Sequence, residues 1–140
     1  MQTWLIYAIL SMFFAGLTSV LAKHGLKEIS ADLALVVRTT VVFGMVLINF
    51  FLWQEIKSVG QLSYKAILFL VLSGLTTSFS WIFYYKAIKI GDVSMVASID
   101  KCSLLITLIL SFVFLKEPLT PKIVFGAGFI FTGMMIMVWK

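Results

Sequence analysis

The chain has 140 residues, of which 61% are hydrophobic and only 12% are charged. Soluble domains carry about 25% charged residues, so this composition excludes an ordinary soluble fold and favours a bilayer, where apolar side chains face lipid. The formal net charge is +5. Because the lysines stand mostly between apolar runs, we expect lipid headgroups as their partners and no binding of nucleic acid.

Five apolar runs follow one another along the chain, each close to the ~20 residues that a helix needs to cross the hydrocarbon core. They predict an all-α membrane protein with five transmembrane helices in a single domain over residues 1–140. The predicted helices cover residues 3–21, 33–53, 66–85, 93–115 and 123–139. These runs are too long and too uniformly apolar for the strands of a membrane β-barrel.

The basic residues divide almost evenly between the two sides of the predicted bundle. The lysines on the N-terminal side are Lys57, Lys65, Lys116 and Lys122, and those on the other side are Lys23, Lys27, Lys86, Lys89 and Lys140. Arg38 lies near the second side and adds to it. The second side has only a small excess of basic residues. The positive-inside rule therefore leaves two interpretations open, a single orientation or insertion in both orientations. Insertion both ways would let two copies pair antiparallel as an inverted repeat.

Several segments together resemble one family. They are Ala15–Lys23, Arg38, Ala87–Gly91, Val96–Lys101, Phe114–Thr120, Gly126 and Gly133. Their combination, which covers nearly the whole chain, resembles the EamA domain of the drug/metabolite transporter superfamily. Typical members hold two such domains in ten helices related as inverted repeats, so the resemblance implies half of such a transporter. It implies a homodimer, or a heterodimer with a similar small chain, and a substrate among amino acids, metabolites, drugs and nucleotide-linked sugars.

Asp100 and Lys101 interrupt the fourth apolar run. Each charged side chain costs roughly 2.5–3.5 kcal/mol at the centre of a membrane helix, so neither is expected to face lipid. Their side chains diverge by about 100° on a helix and do not form the usual i, i+4 pair. We therefore expect each to have a partner on another helix or to line a wet cavity. Asp100 would then bind a cationic group or a proton, and Lys101 an anionic group; the alternative is a structural ion pair.

Polar and aromatic residues extend the candidate site along two helices. They are Ser103, Thr107 and Ser111 on the fourth helix, spaced with Asp100 on one face, and Thr77, Trp81 and Tyr84 on the third. Such residues suit a cavity for an amphipathic ligand, built from the first, third and fourth helices. Hydrogen bonds between helices would use the same residue types, and both interpretations stay open.

Three further features concern packing and anchoring. Gly126, Gly128 and Gly133 allow close backbone approach on the last helix and predict a helix or subunit contact there. Arg38 stands near the start of the second helix, where we expect it to anchor at headgroups or to meet Asp100 of a neighbour. Glu117 is expected to pair with a nearby lysine in its loop, Lys116 or Lys122.

The sequence predicts a secondary transporter, an exporter or exchanger of a small metabolite, amino acid or amphipathic drug, in a bacterial or archaeal cell (inner) membrane. It has no enzyme signature, and we expect no metal or cofactor. Small multidrug exporters of the same superfamily carry a glutamate in the first helix, whereas this chain has no acidic residue before Leu26. Asp100 is thus the intramembrane carboxylate available for coupling. The alternatives are a non-transporting membrane subunit of a larger complex and a subunit of a lipid-linked sugar flippase.

Overall fold

The computed structural model describes residues 3–52 and 63–139, and 88% of it is helical. In chain order the helices are α1 (Thr3–Gly25), α2 (Ala31–Leu52), α3 (Tyr64–Ile90), α4 (Val93–Lys101), α5 (Ser103–Leu110), a π-helical turn (Ser111–Leu115) and α6 (Pro121–Val138). Across these ranges no strand is present. Five stretches are long and apolar enough to cross a membrane, with Val93–Leu115 as the fourth.

The helix ends differ modestly from the predicted ones. Because lysine stems are apolar and their ammonium groups reach outward, α1 and α3 continue past the apolar runs, to Gly25 and Ile90. Helix α6 begins at Pro121, whose fixed φ suits a first helical position. The predicted last residue of the second helix, Trp53, lies outside the described residues.

Two compact units divide the chain, Met1–Ile90 and Gly91–Lys140. In the first unit α3 packs against both α2 and α1. Its buried apolar side chains are Leu26, Tyr85 and Ile88, which lie toward the ends of α1 and α3. Ser30 precedes α2, and its hydroxyl accepts a hydrogen bond from Leu33 N at 3.3 Å, as an N-cap does.

In the second unit α6 packs against α4 and α5. The apolar span Val93–Leu115 has the bounds of the predicted fourth helix, and its hydrogen bonding tightens locally at Cys102, which keeps right-handed helical dihedral angles. There Cys102 N donates to Ile99 O and Leu105 N donates to Cys102 O, both at 3.0 Å and both spanning three residues. Sulfur contacts join this region to α6, with Cys102 Sγ 3.8 Å from Met134 Sδ.

The fourth span ends in a tightly bonded turn. Lys116 adopts a left-handed conformation with φ 55° and stops the helix. Ser111 Oγ donates to Glu117 Oε2 at 2.9 Å, and Glu117 N donates to Ser111 O at 3.4 Å. The expected pairing of Glu117 with Lys116 or Lys122 is not found among the described residues, and its carboxylate instead accepts a hydrogen bond from the serine six residues earlier.

Most large apolar side chains on these helices are exposed on the chain surface. The buried apolar residues among those described are Leu26, Tyr85, Ile88 and Ala127. Water does not tolerate contiguous apolar surface of this extent, so lipid or other membrane protein must cover it.

Candidate functional site

Arg38, Trp81 and Tyr85 form an arginine–aromatic cluster inside the first unit. The Arg38 guanidinium carbon lies 4.2 Å from the centroid of Trp81 and 5.8 Å from that of Tyr85. Arg38 is the eighth residue of α2, so it lies about 10 Å inside the start of that helix. A cation over an indole ring contributes about 2 kcal/mol where water is excluded. The cluster therefore ties α2 to α3.

One nitrogen of that arginine lacks a hydrogen-bond partner. Arg38 Nη1 is buried, and no acceptor among the described residues bonds to it. This placement differs from the expected anchoring at headgroups, because the guanidinium turns toward the rings of α3. A buried guanidinium nitrogen without an acceptor costs free energy, and the ring contact offsets only part of that cost. An acceptor oxygen from a bound solute would supply the missing hydrogen bond.

Tyr84 joins α1 to the same face of α3. Its hydroxyl lies 2.7 Å from Ser19 Oγ, a hydrogen bond between helices. Trp81, Tyr84 and Tyr85 are spaced i, i+3 and i+4 and share one face of α3. All three helices of the first unit thus contribute to a single group of polar and aromatic side chains. Trp81 and Tyr84 were predicted site residues, and here they do lie together.

Replacing Tyr84 with Phe should destabilise the protein modestly. The change removes the 2.7 Å bond to Ser19 and leaves the ring in place. Hydrogen bonds between membrane helices contribute about 0.6–1.7 kcal/mol, and we expect a loss in that range. Thermal unfolding in detergent measures it. In a double-mutant cycle with Ser19→Ala, strictly additive losses would show that this bond contributes nothing.

Asp100 and Lys101 pair with each other. Lys101 Nζ lies 3.4 Å from Asp100 Oδ2, and the two side chains are 62% and 35% exposed respectively. The expected partners on another helix are absent among the described residues. The long flexible stem of Lys101 allows its ammonium group to reach back to the preceding residue. On this chain the pair lies at the surface, as the eighth and ninth of the 23 residues of the fourth span.

The hydroxyls predicted to line the site are bonded within their own helices. Thr77 Oγ1 donates to Ser73 O at 2.8 Å, and Thr107 Oγ1 donates to Ser103 O at 3.0 Å. Ser103 is exposed and immediately follows Cys102. Because each hydroxyl keeps lone pairs, Thr77 and Thr107 can still accept hydrogen bonds from a ligand.

The glycines of α6 face open space. A Cβ built on Gly126, Gly128 or Gly133 would meet no atom within 4 Å. Within the described chain no helix approaches these glycines closely, and their role as a subunit contact stays a prediction. Gly128 borders an apolar cavity of about 310 Å³ between α5 and α6.

The sequence did not place Arg38 in the candidate site and predicted that it anchors at headgroups or meets Asp100 of a neighbour. The available signal was an arginine inside an apolar run together with aromatic residues on the next helix. That signal does not give the rotation of α2 against α3, which decides whether the side chains meet. Within residues 3–52 and 63–139, no group of three His, Cys, Asp or Glu residues suited to a metal ion is present.

Comparison with known proteins agrees with the membrane architecture. Residues 2–139 match the model of the EamA-like transporter family. The chain is 35% identical over 136 residues to a Sinorhizobium sp. protein described as "Uncharacterized transporter in cobO 3'region", and the match covers 97% of this chain and 96% of that relative. No solved structure matches the chain. With its five apolar spans, the chain is an integral membrane protein that belongs to the EamA-like transporter family.

Proposed function

We propose that this chain is a secondary transporter that exports or exchanges a small amphipathic metabolite, amino acid or drug. It works as an antiparallel homodimer, or paired with a similar small chain, in the bacterial or archaeal cell (inner) membrane. The observation that carries this proposal is the Asp100–Lys101 ion pair, which lies within the fourth span.

The ion pair supports a transport site because of where it lies. Ionised side chains within membrane spans face protein interiors or water-filled cavities, and they commonly mark substrate or ion pathways. Asp100 supplies the carboxylate that takes up a proton or a cationic group.

Pairing of two chains is supported by the exposure of charged and apolar side chains on the described helices. Because charged side chains are costly in contact with hydrocarbon, the exposed ion pair should contact protein or water in the membrane. A second copy would supply that contact, and the open glycine face of α6 offers room for a close helix contact.

Replacing Gly128 with Leu should lower the dimer fraction in detergent severalfold. The larger side chain occupies the space where a partner helix would approach, and a Cβ at this position meets no atom of its own chain. Crosslinking or light scattering on the purified protein measures the effect. Gly44→Leu on α2 is the matched control, because Gly44 also faces open space. Equal dimer fractions in both variants and the parent would remove α6 from the interface.

The arginine–aromatic cluster supports an amphipathic substrate. Trp81 and Tyr85 offer apolar ring surface, and Arg38 offers donors to a carboxylate or phosphate. Tyr84, already bonded to Ser19, adds a polar edge to the same face of α3. This group of residues therefore suits a small solute that carries both an apolar body and an acidic group.

Uptake into proteoliposomes tests the proposal. Radiolabelled amino acids, small carboxylates and lipophilic cations are offered with and without a pH gradient across the membrane. We expect at least one class to accumulate above the level in protein-free liposomes, and faster with the gradient if a proton drives transport. Uptake at the protein-free level for every class would favour a non-transporting membrane subunit.

A further inference from the structure

A basic cavity lies where α1 and α3 end, apart from the residues discussed above. Its volume is about 200 Å³, and it is lined by Lys23, Leu26, Lys27 and Lys89. Leu26 is fully buried and forms its floor. Because α1 and α3 both run toward this end of the first unit, the cavity lies at the level where spanning helices meet the lipid headgroups.

Two of these lysines are held in place by the helix ends. Lys23 Nζ donates to Ile88 O at 2.7 Å, so a lysine of α1 bonds to a terminal carbonyl of α3. Lys89 Nζ donates to Leu26 O and to Ile29 O, the latter at 2.9 Å, so a lysine of α3 bonds to the loop after α1. These reciprocal bonds fix two ammonium groups beside the cavity before any ligand arrives.

The positive charges of Lys27 and Lys89 are not neutralised by carboxylates of the described residues. Carbonyl oxygens orient an ammonium group through hydrogen bonds, but they carry no formal charge that would neutralise it. Within the described ranges, neither Lys27 nor Lys89 has a carboxylate oxygen within 4 Å. The side chain of Lys27 makes no hydrogen bond among those residues, and it is exposed. An anion with several acceptor oxygens would meet all three ammonium groups.

We propose that this cavity binds the phosphate group of an anionic membrane lipid. Lysine binds phosphate as a point charge with several donors, and basic pockets between membrane helices bind lipid phosphates. A lipid source is favoured over free phosphate because the cavity lies at headgroup depth and Leu26 presents apolar surface beside the charges. The bound lipid links the loop after α1 to the end of α3, and so steadies the first unit.

Lipid retention on the purified dimer or monomer tests this proposal independently of transport. Native mass spectrometry is run in detergent with added phosphatidylglycerol, with phosphatidylcholine, or with inorganic phosphate. We expect phosphatidylglycerol to bind in preference to phosphatidylcholine, and free phosphate not to displace it. Lys27→Gln should weaken phosphatidylglycerol binding about fivefold, since one lysine near the surface contributes about that factor.

The control variant also replaces one lysine with glutamine, but at a position that does not line the cavity. Lys86→Gln removes an exposed lysine from the same end of α3 that does not line the cavity, and we expect it to bind phosphatidylglycerol within twofold of the parent. Equal weakening in Lys27→Gln and Lys86→Gln would reduce the effect to general surface charge and overturn the proposal. Displacement by inorganic phosphate, or equal binding of phosphatidylcholine, would also overturn it.

Discussion

Asp100→Asn is expected to abolish the stimulation of uptake by a pH gradient and to slow transport about tenfold or more. The substitution keeps the size of the side chain and removes both its charge and its ability to carry a proton. It also removes the partner of Lys101, 3.4 Å away. Hydrogen bonds to charged groups contribute about 1.5–3 kcal/mol, which corresponds to a factor of about ten or more in rate or affinity. Uptake into proteoliposomes is the measurement.

Asp92→Asn is the matched control for that experiment. Asp92 precedes the first residue of α4, outside the span, and its side chain makes no capping hydrogen bond. We expect parent-like uptake from it. If Asp100→Asn also transports like the parent and still responds to the gradient, Asp100 has no part in coupling. Thermal unfolding of both variants separates a transport defect from a loss of folded protein.

Trp81→Leu is expected to destabilise the protein by about 2 kcal/mol and to reduce uptake strongly. The indole face holds the Arg38 guanidinium at 4.2 Å, and a desolvated cation–π contact contributes about that much. Without the indole ring, the guanidinium of Arg38 loses its cation–π contact, and its buried nitrogen still has no hydrogen-bond acceptor. Trp81→Phe keeps a smaller ring and should recover part of both stability and uptake. Thermal unfolding in detergent and proteoliposome uptake measure the two effects.

Phe83→Leu provides the comparison for Trp81. It removes an aromatic ring from the same helix at a position that is 68% exposed, so it changes lipid contact and spares the cluster. We expect little change in stability. A double-mutant cycle of Trp81→Leu with Arg38→Met then isolates the contact between the two side chains. A coupling energy near zero would mean that Arg38 and Trp81 are neighbours without a stabilising interaction.

Much of the fold follows from composition because the bilayer imposes it. A membrane span requires about 20 apolar residues with internally paired backbone groups, and the five runs meet that requirement in the sequence itself. The ends of α1 and α3 were placed too early, since the rule counts apolar residues whereas lysine stems extend helices beyond them. The family resemblance is confirmed by the match over residues 2–139.

The local tightening of the helix at Cys102 was not predictable from the usual signals. Helix breaks are expected at Pro or Gly, and neither residue occurs between Val93 and Leu115. Partners on other helices were expected for Asp100 and Lys101, whereas Lys101 Nζ lies 3.4 Å from Asp100 Oδ2 of the same helix. The contact of Arg38 with Trp81 depends on how α2 rotates against α3, a tertiary property that a single sequence leaves open.

If the Asp100–Lys101 pair faces water inside the membrane and not hydrocarbon, as we propose, a thiol beside it should react with a membrane-impermeant maleimide. The measurement is the labelling of Ser103→Cys in a Cys102→Ser background, which removes the single native cysteine. Ser103 lies three residues from Asp100 on the same face, and this variant keeps the ion pair intact. Ile109→Cys, at an apolar position of the same span that is 61% exposed, is the control. We predict labelling of Ser103→Cys in intact membranes and none of Ile109→Cys; an unlabelled Ser103→Cys that reacts only after denaturation would contradict the claim.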